Sequence, residues 1–259
     1  MDGRRRAAYL AALGIEDWVL RRGAGTASAA PAAEIDANAP ASTVSAPSPR
    51  PPPDAREAVS TPPAPANEAE RTAAWEALQH EVASCTKCAL HATRTRTVFG
   101  VGDPAASLLV VGEAPGAEED RRGEPFVGRA GQLLDTMLRA IDLRRGQRVF
   151  VANMLKCRPP RNRDPSPEEV ACCLPYLMRQ IALIRPRLIL AVGRIAAQNL
   201  LATDASLGRL RGRVHRFGAL STPLLVTYHP AYLLRTPAEK RKAWEDLKLA
   251  RRVFDELAS

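Results

Sequence analysis

No stretch of the 259-residue chain holds the roughly 18 consecutive apolar residues that a membrane-spanning helix needs. A membrane partner is therefore not expected. The opening segment, MDGRRRAAYLAALGIEDWVLRRG, has a basic cluster and a short apolar stretch, but Glu16 and Asp17 interrupt it and no small-residue cleavage site follows closely. It does not read as a secretory leader, and a cytoplasmic protein is expected. Phosphate-cradling loops are missing too. The one suggestive turn, GEAPGAEED at residues 112–120, has neither the GxGxxG spacing nor the Lys-Ser/Thr of a P-loop. Glu113, Glu118, Glu119, Asp120 and Glu124 around it would repel a di- or triphosphate. These absences disfavour nucleotide-triphosphate chemistry.

Apolar bulk is absent from one region in particular. Residues 24–70 hold ten of the 22 prolines, no aromatic and no Leu, with only Ile35, Val44 and Val59 as large aliphatics. Such a segment cannot bury enough apolar surface to offset its ordering entropy, so it reads as a disordered, partly polyproline-like tether. Three regions follow: residues 1–23 as a short amphipathic helix, 24–70 as the linker, and 71–259 as the folded domain. The first 23 residues offer Tyr9, Leu10, Leu13, Trp18 and Leu20 as apolar content, a candidate docking segment for a partner protein. Charge divides unevenly across these regions. Residues 1–23 carry five arginines against three acids, and 24–70 carry two against six, which leaves +11 of a net +9 on residues 71–259. A folded domain that basic expects a polyanionic partner, nucleic acid ahead of a membrane surface.

Within that domain, four short runs rich in Val, Leu and Ile read as buried strands: 108–111, 149–152, 188–192 and 224–227. Helical patterns separate them, clearest at 131–140, 167–184, 194–201 and about 237–257. Ser166 is placed to cap the second of these, with Pro167 at its first position. Repeated β-α-β units predict an α/β fold, a three-layer α/β/α sandwich around a four-stranded parallel sheet. Ligands on such sheets collect at the carboxyl ends of the strands. The polar residues there are Glu113, Asn153 and His229.

Cys85-Thr-Lys-Cys88 is a CxxC, followed much later by Cys157 and the adjacent Cys172 and Cys173. Five thiols in a cytoplasmic chain argue for metal ligation over disulfides. Spacing alone separates neither zinc from iron–sulfur nor Cys172 from Cys173.

Five separated segments carry a resemblance: the CxxC, GEAPGAEED (112–120), EPFVGRAGQLLD (124–135), VANMLKCRPPRNRDPSPEE (151–169) and YHPAYLLR (228–235). In this order they closely resemble the family-4 uracil-DNA glycosylases, from about Ala83 to the C-terminus. The resemblance implies a monomeric base-excision repair enzyme that hydrolyses the N-glycosidic bond of deoxyuridine in single- or double-stranded DNA. It implies one four-iron four-sulfur cluster on Cys85, Cys88, Cys157 and Cys173, structural in role, with Cys172 a bystander. It places uracil against Glu113, Ala114, Pro115, Phe126, Asn153 and His229. A side-chain amide at Asn153 can donate to uracil O4 and accept from N3–H, where cytosine presents like against like. Phe126 is expected to stack on the flipped ring, and a neutral His229 to donate to the developing charge on O2. Glu113 is expected to orient the attacking water, with Asp120 a weaker candidate, because an Asp found in a better-known family of these enzymes is replaced here by Ala114.

Arg158, Arg161, Arg163 and Arg235 flank this pocket in sequence and are expected to grip DNA phosphates, with Tyr232, Leu233 and Leu234 wedging into the base stack. Two alternatives compete. One is a covalent uracil-binding relative, disfavoured because its basic KRRIH insertion is replaced by NRDPSPEE. The other is a non-catalytic iron–sulfur repair module.

Overall fold

The computed structural model describes residues 67–257. The expectations for the N-terminal helix and for nearly all of the linker lie outside that range. The first described element is a helix, α1 (Glu68–Ala83), capped by Asn67, whose Oδ1 accepts from Glu70 N–H at 2.9 Å. Helix α1 thus takes in Glu68, Ala69 and Glu70, the last three residues of the segment expected to be linker.

Among the described residues six strands form one sheet: β1 (Val101–Gly102), β2 (Leu108–Gly112), β3 (Val149–Asn153), β4 (Leu188–Val192), β5 (His215–Phe217) and β6 (Thr222–Thr227), in the order β1-β3-β2-β4-β6-β5. The inner four are the predicted parallel strands. The two edge strands, β1 and β5, run antiparallel and were not foreseen. At two and three residues they carry no readable period.

The inner strands are buried on both faces, and their residues alternate between two cores as a two-residue period requires. Leu108, Val110, Leu188 and Leu190 face α3 (Arg129–Ala140) and the closing α8 (Lys240–Glu256) through Leu134, Leu138, Trp244 and Leu247. Leu109, Val111, Ile189 and Ala191 face α4 (Pro167–Ile184) and α5 (Arg194–Leu200) through Leu177, Ala196 and Ala197. The predicted Ser166 cap opens α4 and is one half of a capping box: Ser166 Oγ accepts from Glu169 N–H, and the Glu169 carboxylate accepts from Ser166 N–H at 2.9 Å. Shorter helices fill the loops: α2 (Ala117–Arg122), α6 (Leu207–Leu210) and α7 (Pro230–Arg235). Among the described residues, no helix is long and apolar enough to cross a membrane.

The chain leaves β2 toward β3 on one side and then crosses back over β2 to reach β4. The loops leaving adjacent β2 and β4 therefore diverge onto opposite faces and open a crevice at the strand tips.

Candidate active site

That crevice is a cleft of about 400 Å³ lined by Glu113, Ala114 and Pro115 after β2, Asn153 at the end of β3, Phe126, and His229 after β6. Every residue expected to touch uracil lines this one hollow.

Asn153 pairs with Gly112 in the last rung of the parallel ladder and is 1% exposed. Its Oδ1 is buried without a hydrogen-bond partner among the described residues. A Cβ on Gly112 would lie 2.4 Å from that oxygen and 2.5 Å from Phe126 Cζ. Only glycine leaves room for both groups at the cleft floor.

Phe126 is held in a left-handed conformation at φ 54°, which costs a side-chain-bearing residue of order 1–3 kcal/mol. Packing over-determines it. The Arg145 guanidinium donates to the Pro125 and Phe126 carbonyls at 2.6 and 3.0 Å and pairs with Asp135 at 3.1 Å. Helix α3 presses so close that a Cβ on Gly131 would overlap the Phe126 carbonyl at 1.7 Å. The ring is 6% exposed and stacks on the His229 imidazole, centroids 5.6 Å apart.

His229 is the N-cap of α7, and its Nδ1 accepts the Ala231 N–H at 3.1 Å. An accepting Nδ1 leaves the proton on Nε2. Burial, and then the nearby Arg235 charge, push the imidazole down to about 4. At neutral pH the residue is therefore a neutral donor through Nε2–H. Behind this loop, Asp246 accepts from Thr227 Oγ1 and Arg211 Nε, both at 2.9 Å, and the Arg211 guanidinium covers the Tyr228 ring.

Glu113 is half-buried in the cleft. Burial raises its carboxyl above the usual range, the Asp164 charge adds to the rise, and Arg194 opposes it. Asp120 does not belong to this site. It is 4% exposed, its Oδ1 accepts from the Thr95 and Arg96 backbone N–H groups, and it is not among the residues lining the cleft, so its carboxylate anchors a loop elsewhere.

Two supporting residues escaped the sequence reading. Glu119 accepts from Gly116, Val127 and Gly128 N–H groups at 3.1, 3.0 and 3.3 Å, tying the turn after β2 to the Phe126 loop. Its position three residues after the cap of α2 was the available signal. Lys156 is fully buried and donates to the Asn153 carbonyl at 2.8 Å and to Gln180 Oε1 at 2.7 Å.

Of the four arginines, Arg163 and Arg235 line the cleft, and Arg161 and Arg235 are exposed. Arg158 donates to Asn162 Oδ1 at 2.7 Å, and Arg163 gives its fork to Glu169, so both also brace the loop they belong to. Leu233 corrects an expectation: it is 1% exposed and packed in the core beneath α7, so it cannot enter a base stack. Tyr232 and Leu234, one on either side of Leu233 around that helix, are each 36% exposed, and Tyr232 lines the cleft.

A second hollow lies behind the β3 loop, lined by all five cysteines with Arg94, Lys156 and Tyr176. Cys157 and Cys173 are buried, and Cys172 is half-exposed with its Sγ donating to the Lys87 carbonyl. Burial pushes the Cys88 and Cys157 thiols up, and Cys173 up to about 11. Among the described residues, no group of three or more candidate ligands is gathered tightly enough for one metal ion. The sulfurs surround a space.

The family profile of the uracil DNA glycosylase superfamily matches residues 99–248. A type-4 uracil-DNA glycosylase of Archaeoglobus fulgidus is 47% identical over 65% of this chain and 87% of its own length. Those of Pyrobaculum aerophilum and Sulfurisphaera tokodaii are 45% and 42% identical, over 66% and 69% of this chain and 90% and 84% of theirs.

Proposed function

The chain belongs to the uracil-DNA glycosylase superfamily, and from that premise we propose that it hydrolyses the N-glycosidic bond of deoxyuridine in DNA with the strand-tip cleft as its active site. It is a DNA-repair glycosylase. The observation that carries the site assignment is the Asn153 Oδ1, a buried acceptor without a partner beside an aromatic face. Uracil N3–H supplies the missing donor, and the same amide donates to O4. Cytosine meets donor with donor and acceptor with acceptor, which leaves buried polar groups unpaired. Phe126 offers the extruded base a stacking face worth roughly 1–3 kcal/mol.

As the glycosidic bond breaks, positive charge builds on the sugar and negative charge on uracil O2. The Nε2–H of His229 is the fixed donor for that oxygen, already oriented by its bond from Ala231. Glu113 holds the water that adds to the sugar. Its carboxyl must be ionised for that work, so activity rises with pH through its elevated pKa. Glu113→Gln is expected to lower single-turnover uracil release about 100-fold and to abolish that acid limb. An unchanged rate and profile would remove Glu113 from the mechanism.

Arg161 and Arg235 would hold phosphates, and Tyr232 with Leu234 would fill the gap left by the base, making affinity fall steeply with salt. The thiol-lined hollow fits a four-iron four-sulfur cluster, because a cluster takes one thiolate per iron and spreads its ligands around a space. Cys85, Cys88, Cys157 and Cys173 would hold it, with Cys172 engaged on the Lys87 carbonyl instead. Such a group supplies a covalent cross-link between the loop after α1, the loop after β3 and α4. The full chain, incubated with a single-deoxyuridine oligonucleotide, should release free uracil and leave an alkali-labile abasic site. Absence of uracil release from iron-loaded protein would refute the reading.

A further inference from the structure

Tyr176 lies on α4, three residues past Cys173 and therefore on the same helix face. It is 1% exposed and lines the hollow of the five cysteines. Its hydroxyl finds no partner that meets hydrogen-bond geometry among the described residues. A buried polar group left this way calls for an explanation, since folding gives up its hydration for nothing. Cys85 packs against the cluster that Tyr176 belongs to and lines the same hollow, and the Lys87 ammonium lies 4.6 Å from the Tyr176 ring centroid. An ammonium can only donate, so the proton of the phenol is left to be given elsewhere.

Across the hollow a matching donor is already engaged. Arg94 Nη1 donates to Cys157 Sγ at 3.2 Å and to the Cys85 carbonyl at 2.7 Å. Two donors from outside the ligand set thus face sulfurs from two separate segments. One has its sulfur, and the other awaits an acceptor stronger than a neutral thiol.

We infer that Tyr176 donates its hydroxyl proton in a hydrogen bond to the Cys85 sulfur once that sulfur is an iron-bound thiolate, pairing with the Arg94 bond to Cys157. The inference rests on the reading that these cysteines carry the cluster. Hydrogen bonds to cluster sulfurs stabilise the more negative oxidation state and slow ligand loss. The Tyr176 hydroxyl therefore raises the reduction potential and protects the cluster from oxidants. In the iron-free protein the same hydroxyl is a liability.

The test compares wild type with Tyr176→Phe, both full-length and purified without oxygen. Iron per chain, visible absorbance, reduction potential and the rate of bleaching by ferricyanide are measured, followed by thermal unfolding of each protein after chelation of its iron. The variant should have a lower reduction potential and bleach about 10-fold faster. Its iron-free form should unfold at the same temperature as iron-free wild type, or higher. A variant that folds but loads little iron supports the same conclusion. Arg94→Gln should shift potential and bleaching in the same direction from the Cys157 side. Equal potentials and bleaching rates in iron-loaded wild type and Tyr176→Phe overturn the Tyr176 role while leaving the cluster in place. Wild type that never binds iron overturns the cluster and this inference together.

Discussion

His229→Ala is expected to slow single-turnover uracil release by about 100- to 1,000-fold, the usual cost of deleting one preorganised donor to a developing oxyanion. Binding should change far less. The imidazole faces the leaving oxygen, whose charge is fully developed only in the transition state, while ground-state affinity comes from phosphate contacts, stacking and the Asn153 amide. Stopped or quenched single-turnover rates and a separate binding titration on a uncleavable deoxyuridine analogue check this. Equal losses in both would show that His229 is a binding or structural residue.

The same residue sets a pH signature. Because burial holds His229 near 4 against an ordinary 6.5, it stays neutral across the neutral range. The wild-type rate should show no inflection near 6.5, and any acid limb belongs to Glu113. For stability the sign follows from which state takes up the proton. Below about 6.5 the unfolded chain protonates this histidine while the folded one does not. Its contribution is therefore complete above 6.5 and drains away as pH falls toward 4. His229→Ala should flatten that part of the stability-against-pH curve.

Asn153→Ala carries the second large effect. Removing the amide takes away the paired donor and acceptor that read uracil, so the preference for uracil over cytosine should collapse by about 10,000-fold, mostly through loss of the uracil rate. Stability should move differently. The wild-type Oδ1 is a buried acceptor without a partner in the described residues, an arrangement that costs about 1–3 kcal/mol. Truncation relieves that cost while opening a small cavity, so the thermal midpoint should stay close to wild type. Free uracil should raise the midpoint of wild type and leave that of Asn153→Ala unmoved. A variant that keeps its uracil preference would remove Asn153 from the reading head.

The four inner strands, the start and end of α4, and the three strand-tip residues were legible because each rests on a local signal. A run of β-branched and aliphatic residues between turn formers marks a buried strand, and Ser166-Pro167 marks a helix start. Glu113, Asn153 and His229 stood out because a parallel sheet puts its ligand at the ends of those strands. The basic cluster loop was read less well. Arg158 and Arg163 looked alike as free cations, but Asn162 and Glu169 engage them. Leu233 and Leu234 are adjacent and chemically identical. Which of them a six-residue helix turns inward depends on its docking onto the core, and it is Leu233 that is buried.

From its residues alone this protein was determined to be a basic α/β domain behind a proline-rich segment, with a five-motif resemblance to uracil-DNA glycosylases. Those properties follow from composition and short-range spacing, which act along the chain. Tertiary structure decided the rest. It set the proton of His229 on Nε2, because the partner of Nδ1 is the start of α7. It held Phe126 in a strained turn, because Arg145 and Gly131 arrive there from a helix and the loop after it. It withdrew Asp120 from chemistry by spending its oxygen on a loop 24 and 25 residues away. Each of these depends on which distant groups share a dry space, where an unmet hydrogen bond is expensive, and no local pattern encodes that company.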